Sequence, residues 1–203
     1  MKRSSKSKQW AAKHSKDPFV KKSLKDKYRS RAAYKLQEIN DKYKVLSNIH
    51  SVVDLGCAPG SWLQLINNFN IKSIIGVDLK EIDPINNISF IRGDINDKTI
   101  SNKVLSLNKS KYDLVLSDIA PNITGIGDID QSNFTEIAHN ISIFCKVVLK
   151  EDGALVMKYF QGSGLIDTKN MFDKYFSKTS VFKPISSKKM SNEVYLICNG
   201  FKA

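Results

Sequence analysis

The chain alternates short apolar runs of strand character with stretches in which apolar residues recur at helical spacing. Val52, Val53 and Leu55 form the clearest strand, apolar enough to be buried on both faces, and the loop Gly56-Cys57-Ala58-Pro59-Gly60 follows it. From Ser61 the residues Trp62, Leu65, Ile66 and Phe69 return every three or four positions, so this loop opens a helix. The same reading predicts buried strands at Ser73–Leu79, Ile88–Asp94 and Tyr112–Asp118, and further strands at Ala154–Tyr159, Thr179–Lys183 and Val194–Cys198. Helices are predicted over Asp97–Leu107, Ser132–Leu149 and Ile166–Phe176, with Asp152-Gly153 turning the long one into the next strand. Ahead of all these, Asp17-Pro18 is an N-cap followed by proline at the first helical position. It starts a short helix over Phe19–Leu24 with a basic face. A second helix is expected from Tyr28, its apolar stripe being Ala33, Leu36, Ile39 and Tyr43, with Arg31, Lys35 and Glu38 off that stripe. Strands alternating with helices define an α/β doubly wound fold, a mostly parallel seven-stranded sheet with helices on both faces.

Length and charge refine this organisation. At 203 residues the chain is one domain of ordinary size. Its formal net charge of +12 is concentrated at one end: residues 1–50 carry 15 Lys and Arg against 4 Asp and Glu, leaving +1 for the rest. We read residues 1–16 as a flexible basic arm and 17–203 as a single domain, in which residues 17–45 are basic helices packed on the sheet. Such asymmetry suits a polyanion. No apolar run approaches bilayer length, and the basic N-terminus lacks the apolar core of a secretory signal. A cytoplasmic and an organellar location fit equally well. Cys57, Cys145 and Cys198, like His14, His50 and His139, are scattered, which argues against a disulfide framework or a metal cluster.

Chemistry gathers at the strand ends. Asp54, Asp78, Asp94 and Asp118 each lie at or just after the C-terminal end of a predicted strand, the edge where such sheets bind ligands. One such acid is an ordinary helix cap; four in register are a ligand crevice. Asp78 lies 22 residues beyond Gly56, the offset of an acid that accepts ribose hydroxyls, and Asp94 could accept from an adenine amino group. Gly56 permits a tight turn and Gly60 a close approach of ligand to main chain. A dinucleotide site needs three glycines and free N–H donors for a pyrophosphate, whereas Pro59 removes a donor and the acids repel phosphate. A cationic cofactor without phosphate, S-adenosylmethionine, fits better than NAD.

At this point the chain resembles the FtsJ/RrmJ-type RNA 2′-O-ribose methyltransferases, enzymes of the Rossmann-like class I methyltransferase fold. The likeness runs from about Asp17 to the end. It rests on residues 29–36 (RSRAAYKL), 54–62 (DLGCAPGSW), 117–122 (SDIAPN) and 156–162 (VMKYFQG), and on Lys183-Pro184 with 191–195 (SNEVY). It implies a catalytic Lys-Asp-Lys-Glu set at Lys35, Asp118, Lys158 and Glu193. It also implies cofactor contacts from Asp54, Gly56, Gly60, Ser61 and Trp62 around the glycine loop. The strand ends would add Asp78, Leu79, Asp94, Ile95 and Asp118. Cys57 stands where relatives often carry alanine, a packing exchange and not a nucleophile. Independently of the resemblance, Lys158 closes a buried strand, where an ammonium is unusual. Desolvation and a nearby Lys35 favour its neutral, basic form, and Asp118 and Glu193 oppose that while holding amine and hydroxyl in line.

The same resemblance implies large-subunit ribosomal RNA, or the assembled subunit, as partner, with a uridine of the A loop as target. The alternatives are the anticodon loop of transfer RNA and a non-catalytic RNA-binding assembly factor. Lys21, Lys22, Arg29, Arg31 and Tyr34, with Tyr28, pair cations with aromatic rings and are the RNA-binding candidates. For Tyr34, packing onto the sheet is an equal alternative. The loop from Asn122 to Asp130, with Gly125, Gly127 and Asp128, lies at the crevice mouth where substrate loops occur. No metal is called for, and a monomer is expected.

Overall fold

A computed structural model describes residues 17–108, 110–188 and 190–203. The basic arm expected over residues 1–16 lies outside the described residues. Helices α1 (Pro18–Lys25) and α2 (Ala33–Tyr43) lead into β1 (Ser51–Leu55), α3 (Ser61–Ile66), β2 (Ser73–Asp78) and β3 (Ser89–Arg92). Then come α4 (Thr99–Ser106), β4 (Tyr112–Ser117), α5 (Gly127–Val148), β5 (Leu149–Phe160), α6 (Leu165–Asp173), β6 (Phe176–Phe182) and β7 (Glu193–Phe201). The seven strands form one sheet in the order β3-β2-β1-β4-β5-β7-β6. β3 to β5 run parallel, and β7 inserts antiparallel between β5 and β6.

Side chains alternate across a strand, so each central strand feeds two cores. Val53, Leu55, Leu155, Met157 and Leu196 pack on one face with Phe134, Ile141 and Phe172 from α5 and α6. Val52, Leu114, Leu116, Val156 and Ile197 pack on the other with Leu36, Ile39, Trp62 and Leu63 from α2 and α3. This parity has a functional consequence. Lys158 shares the face of Val156, and Glu193 and Tyr195 share that of Ile197, so all three meet the layer that carries Lys35.

Several boundaries depart from the sequence reading. β3 is an edge strand with a half-exposed pattern, not a buried one, because only β2 flanks it. α2 begins at Ala33, not Tyr28, since residues 28–32 are engaged in contacts with α3 instead. α5 begins at Gly127, five residues before the predicted start. Asp130 makes this possible: its carboxylate accepts from the Thr124 N–H (2.7 Å), the Thr124 hydroxyl (2.7 Å) and the Gly125 N–H (3.0 Å). β5 starts at Leu149, pairing Leu149 with Tyr112 and Ala154 with Leu114, so residues 150–153 loop out of the ladder where a turn was expected. The Asp17 cap is as expected, its carboxylate accepting from Phe19 N–H at 2.9 Å.

Candidate active site

The carboxyl ends of β1, β2, β3 and β4 enclose two cavities that share Gly56 and Asp118. The larger, about 330 Å³, is lined by Asp78, Leu79, Asp94 and Ile95, with Ile119 and Ala120 from the β4 loop. The smaller, about 170 Å³, is lined by Asp54, Cys57, Pro59, Ser61 and Trp62, with Ser30 and Ala32 closing it from the N-terminal side. The structure thus brings together every residue expected at the cofactor except Gly60. A Cβ at Gly60 would meet Arg29 Nη1 at 2.7 Å and Ile85 at 3.3 Å, and the residue has φ +103°. Its glycine answers to that backbone conformation, in the left-handed region that side chains rarely adopt. Gly56, with φ +72°, leaves no room for a side chain either, since a Cβ would lie 2.4 Å from Ile119 Cγ1. That contact lets the loops after β1 and β4 close on each other.

The acids at these ends are not equivalent. Asp78 accepts from Ala58 N–H and Lys80 N–H, both at 2.8 Å, and Asp94 accepts from Asn96 N–H at 2.9 Å. Both are half-buried and retain acceptor capacity for hydroxyl and amino donors. Asp54 is 1% exposed, and among the described residues neither of its carboxylate oxygens has a hydrogen-bond partner. Burial, then Asp118 and Asp78, push its carboxyl well above the usual carboxylate range. A buried, partnerless acid is costly unless something supplies a cation or a donor. The α-ammonium of S-adenosylmethionine is such a group, so these residues fit that cofactor. Cys57 lies beside Asp54, and burial followed by the nearby carboxylates pushes its thiol up, which removes it as a nucleophile.

Across the crevice the charges are already matched. Lys158, 8% exposed, donates from Nζ to the main-chain oxygen of Asp118 (2.6 Å) and to its Oδ1 (3.0 Å). Tyr195 donates its hydroxyl to the same Oδ1 at 2.7 Å. Burial pushes the Asp118 carboxyl up, but Lys158, Lys35 and the hydrogen bonds from Tyr195 and Lys158 outweigh it and hold it below its ordinary range. Lys35 Nζ meets Glu193 Oε2 at 2.8 Å, both side chains being nearly buried, and Ser187 donates to Glu193 Oε1 at 2.7 Å. The register explains the assembly: Lys158 pairs with Tyr195 and Phe160 with Glu193 across β5 and β7. The four catalytic candidates therefore form two adjoining ion pairs. Tyr195 and Ser187 were missed by the sequence reading. For Tyr195 the signal existed, because a residue two positions after Glu193 on a strand must share its face.

The RNA-binding candidates divide. Lys21 and Lys22 are exposed on α1, Lys22 with its amine 4.4 Å from the centre of the Tyr34 ring. Tyr34 itself is 3% exposed, donates to Asp26 at 2.7 Å and packs against Phe19 and Tyr28. It belongs to the core, and no base can stack on it. Arg31 pairs with Asp17 and donates to the Ser186 carbonyl, so its charge is spent holding α1 and the β6–β7 loop together. Arg29 is likewise engaged, with the carbonyls of Pro59 (2.9 Å) and Pro84 (3.2 Å). Both guanidinium groups are thus tied into the fold. Among the described residues no group of acids, histidines and cysteines is arranged to hold a metal ion. No described helix is long and apolar enough to cross a membrane.

A crevice that offers acids to a nucleoside and an unmatched buried carboxylate beside it, on this strand order, defines a class I methyltransferase that uses S-adenosylmethionine. The chain belongs to the FtsJ-like methyltransferase family, which it matches over residues 28–201. It is 42% identical over 200 residues to the ribosomal RNA large subunit methyltransferase E of Pelagibacter ubique, with 98% of each chain covered. The Marinobacter nauticus protein of the same name is 38% identical over 208 residues, covering 100% of this chain and 99% of that one. Among solved structures, a Plasmodium falciparum chain described as a ribosomal RNA methyltransferase superposes with TM-score 0.77 at 34% identity, covering 86% of this chain and 98% of that one. Human methyltransferase-like protein 13, solved in complex with SAH, shares the fold at TM-score 0.58 and 15% identity, with 76% and 73% covered.

Proposed function

We propose that the enzyme methylates a ribose 2′-hydroxyl of large-subunit ribosomal RNA, a uridine of the A loop, with Lys158 taking up the hydroxyl proton. The observation that carries this reading is the buried Lys158 amine, held by Asp118, a residue that lines both cavities. A ribose hydroxyl is a weak nucleophile and must lose its proton as it attacks. S-adenosylmethionine supplies the electrophilic methyl carbon when bound. Among the described residues, two of the three positions on Lys158 Nζ are occupied by Asp118 oxygens, and the third is left for a substrate oxygen. Once the ammonium has given a proton to solvent, the amine takes up the 2′ proton there as the oxygen–methyl bond forms, and Asp118 stabilises the ammonium that results. Tyr195 fixes the Asp118 carboxylate, so the amine is aimed and not merely present. The Lys35–Glu193 pair, steadied by Ser187, flanks this site and orients the ribose. The ribosomal substrate is supported by the names and full-length cover of the relatives, and by the exposed lysines of α1.

The test is transfer of labelled methyl groups to undermethylated large subunits and to unmodified transfer RNA, with the product nucleotide mapped and Lys158→Ala as the blank. Label on one A-loop ribose, absent with the variant, is the expected result. Label confined to a transfer RNA anticodon loop would overturn the substrate, and undiminished transfer by Lys158→Ala would overturn the mechanism.

A further inference from the structure

Arg29 has every sequence attribute of an RNA contact, yet its guanidinium donates to main-chain carbonyls. Nη1 donates to the Pro59 carbonyl at 2.9 Å and Nη2 to the Pro84 carbonyl at 3.2 Å. Pro59 belongs to the glycine loop that walls the smaller cavity. Pro84 belongs to the loop after β2, the strand that delivers Asp78 and Leu79 to the larger one. Asp78 ties the near ends of these two loops through Ala58 N–H and Lys80 N–H, and Arg29 ties them a second time, from Pro59 to Pro84. The rest of its segment is secured to the start of α3. Arg29 N–H donates to Gln64 Oε1 at 2.8 Å, Gln64 Nε2 donates back to the Lys27 carbonyl at 3.1 Å, and Trp62 Nε1 donates to the Ala32 carbonyl at 2.8 Å. Gly60, at φ +103°, leaves the space that Nη1 occupies, which would lie 2.7 Å from a Cβ there.

We infer that Arg29 is a positioning residue of the cofactor site, a latch that holds the glycine loop and the β2–β3 loop at the separation S-adenosylmethionine requires. A planar fork with several donors can satisfy two carbonyls at once, which the single ammonium of lysine does less well. Held loops lower the ordering cost of binding, so the effect falls on cofactor affinity and not on the chemical step. The inference rests on the cofactor assignment and is independent of which RNA is methylated.

The test compares wild type, Arg29→Gln and Arg29→Lys. S-adenosylmethionine affinity is measured by calorimetry without RNA, and large-subunit affinity is measured as a function of salt. Both variants should bind the cofactor about tenfold more weakly, with a matching rise in KM for the cofactor and kcat at saturation within about twofold. The salt slope of subunit binding should stay at the wild-type value for both. If Arg29 contacts a phosphate instead, the Gln variant alone loses about 0.7–0.9 from that slope and keeps its cofactor affinity. A lowered melting temperature with unchanged cofactor affinity would reduce the role to scaffolding and overturn the proposal. Full recovery of cofactor affinity by lysine would overturn it too, because charge and not the fork would then be the cause. Absence of methyl transfer to ribosomal subunits by wild type would sink the substrate reading while leaving the calorimetric result intact.

Discussion

Asp54 at the end of β1 and Asp118 just after β4 terminate neighbouring parallel strands, and the protein treats their carboxylates in opposite ways. Asp118 is met by an amine, a phenol and a second lysine nearby, and its carboxyl is held low. Asp54 is more deeply buried, is met by nothing among the described residues, and its carboxyl is driven high. One end of the crevice is therefore electrostatically complete before any ligand arrives, while the other is left short of a cation. Chemistry needs the first arrangement, because a general base must be aimed before the substrate binds. Selective capture of a cationic cofactor benefits from the second, because binding relieves a cost that the free protein carries.

Breaking the complete end should have the largest effect. Lys158→Ala is expected to lower single-turnover methyl transfer about 10³-fold while leaving cofactor affinity by calorimetry nearly unchanged. Loss of cofactor binding of the same order would instead make Lys158 a pocket residue. Next comes the deficient end. Asp54→Asn keeps the shape and removes the charge, so S-adenosylmethionine should bind at least about tenfold more weakly. The free protein should melt higher at neutral pH, because asparagine does not carry the cost of a buried, partnerless carboxyl whose ionisation the fold disfavours.

The two acids also predict opposite pH dependences for the free protein. Asp118 has a folded pKa below its unfolded value of about 4, so its stabilisation is present above that pH and is lost as pH falls through the folded value. Asp54 has a folded pKa well above its unfolded value. The native state is therefore favoured by this group below about pH 4, and that contribution is lost as pH rises through the folded value. As pH rises from about 4 through the folded Asp54 value, this group should pull the melting temperature of wild type down, a contribution absent from Asp54→Asn. Identical curves would mean that Asp54 is solvated or paired in solution.

Smaller effects should follow from the residues that aim the pairs. Tyr195→Phe deletes one hydrogen bond to Asp118 and should slow transfer about three- to tenfold with cofactor affinity intact. Ser187→Ala frees Glu193 on one side only, since Lys35 still holds the other oxygen, and should cost about twofold. A Ser187 effect as large as that of Tyr195 would shift the weight of the mechanism toward the Glu193 pair.

What the sequence disclosed follows from how local each signal is. The β1 strand, the glycine loop and the Asp17 cap could be read because apolar runs, turn residues and caps act over a few positions. The acids at the strand ends were legible for the same reason. The start of α5 was not: Gly125 and Gly127 look like helix breakers, and only Asp130 folding back onto Thr124 and Gly125 overrides them. The strand β5 was expected to begin only at Ala154, after a turn at Asp152-Gly153, because an outlooped segment and a turn are written with the same residues. Charge was the least legible property. Arg29, Arg31 and Tyr34 look alike as RNA ligands in one dimension, and only the fold shows that Pro59, Asp17 and Asp26 had already engaged them. Tyr195 escaped because its importance depends on the antiparallel insertion of β7 next to β5, a long-range pairing.

The contrast between the two strand ends is tested most directly by counting the protons released when S-adenosylmethionine binds the free protein. Titration calorimetry over a range of pH upward from about 4, in buffers of different ionisation enthalpy, gives that number. A raised Asp54 carboxyl that ionises as it meets a cation predicts proton release by wild type and its loss in Asp54→Asn. Equal proton exchange in the two proteins would contradict it, and would mean that the carboxylate at the end of β1 is not what receives the cofactor's positive charge.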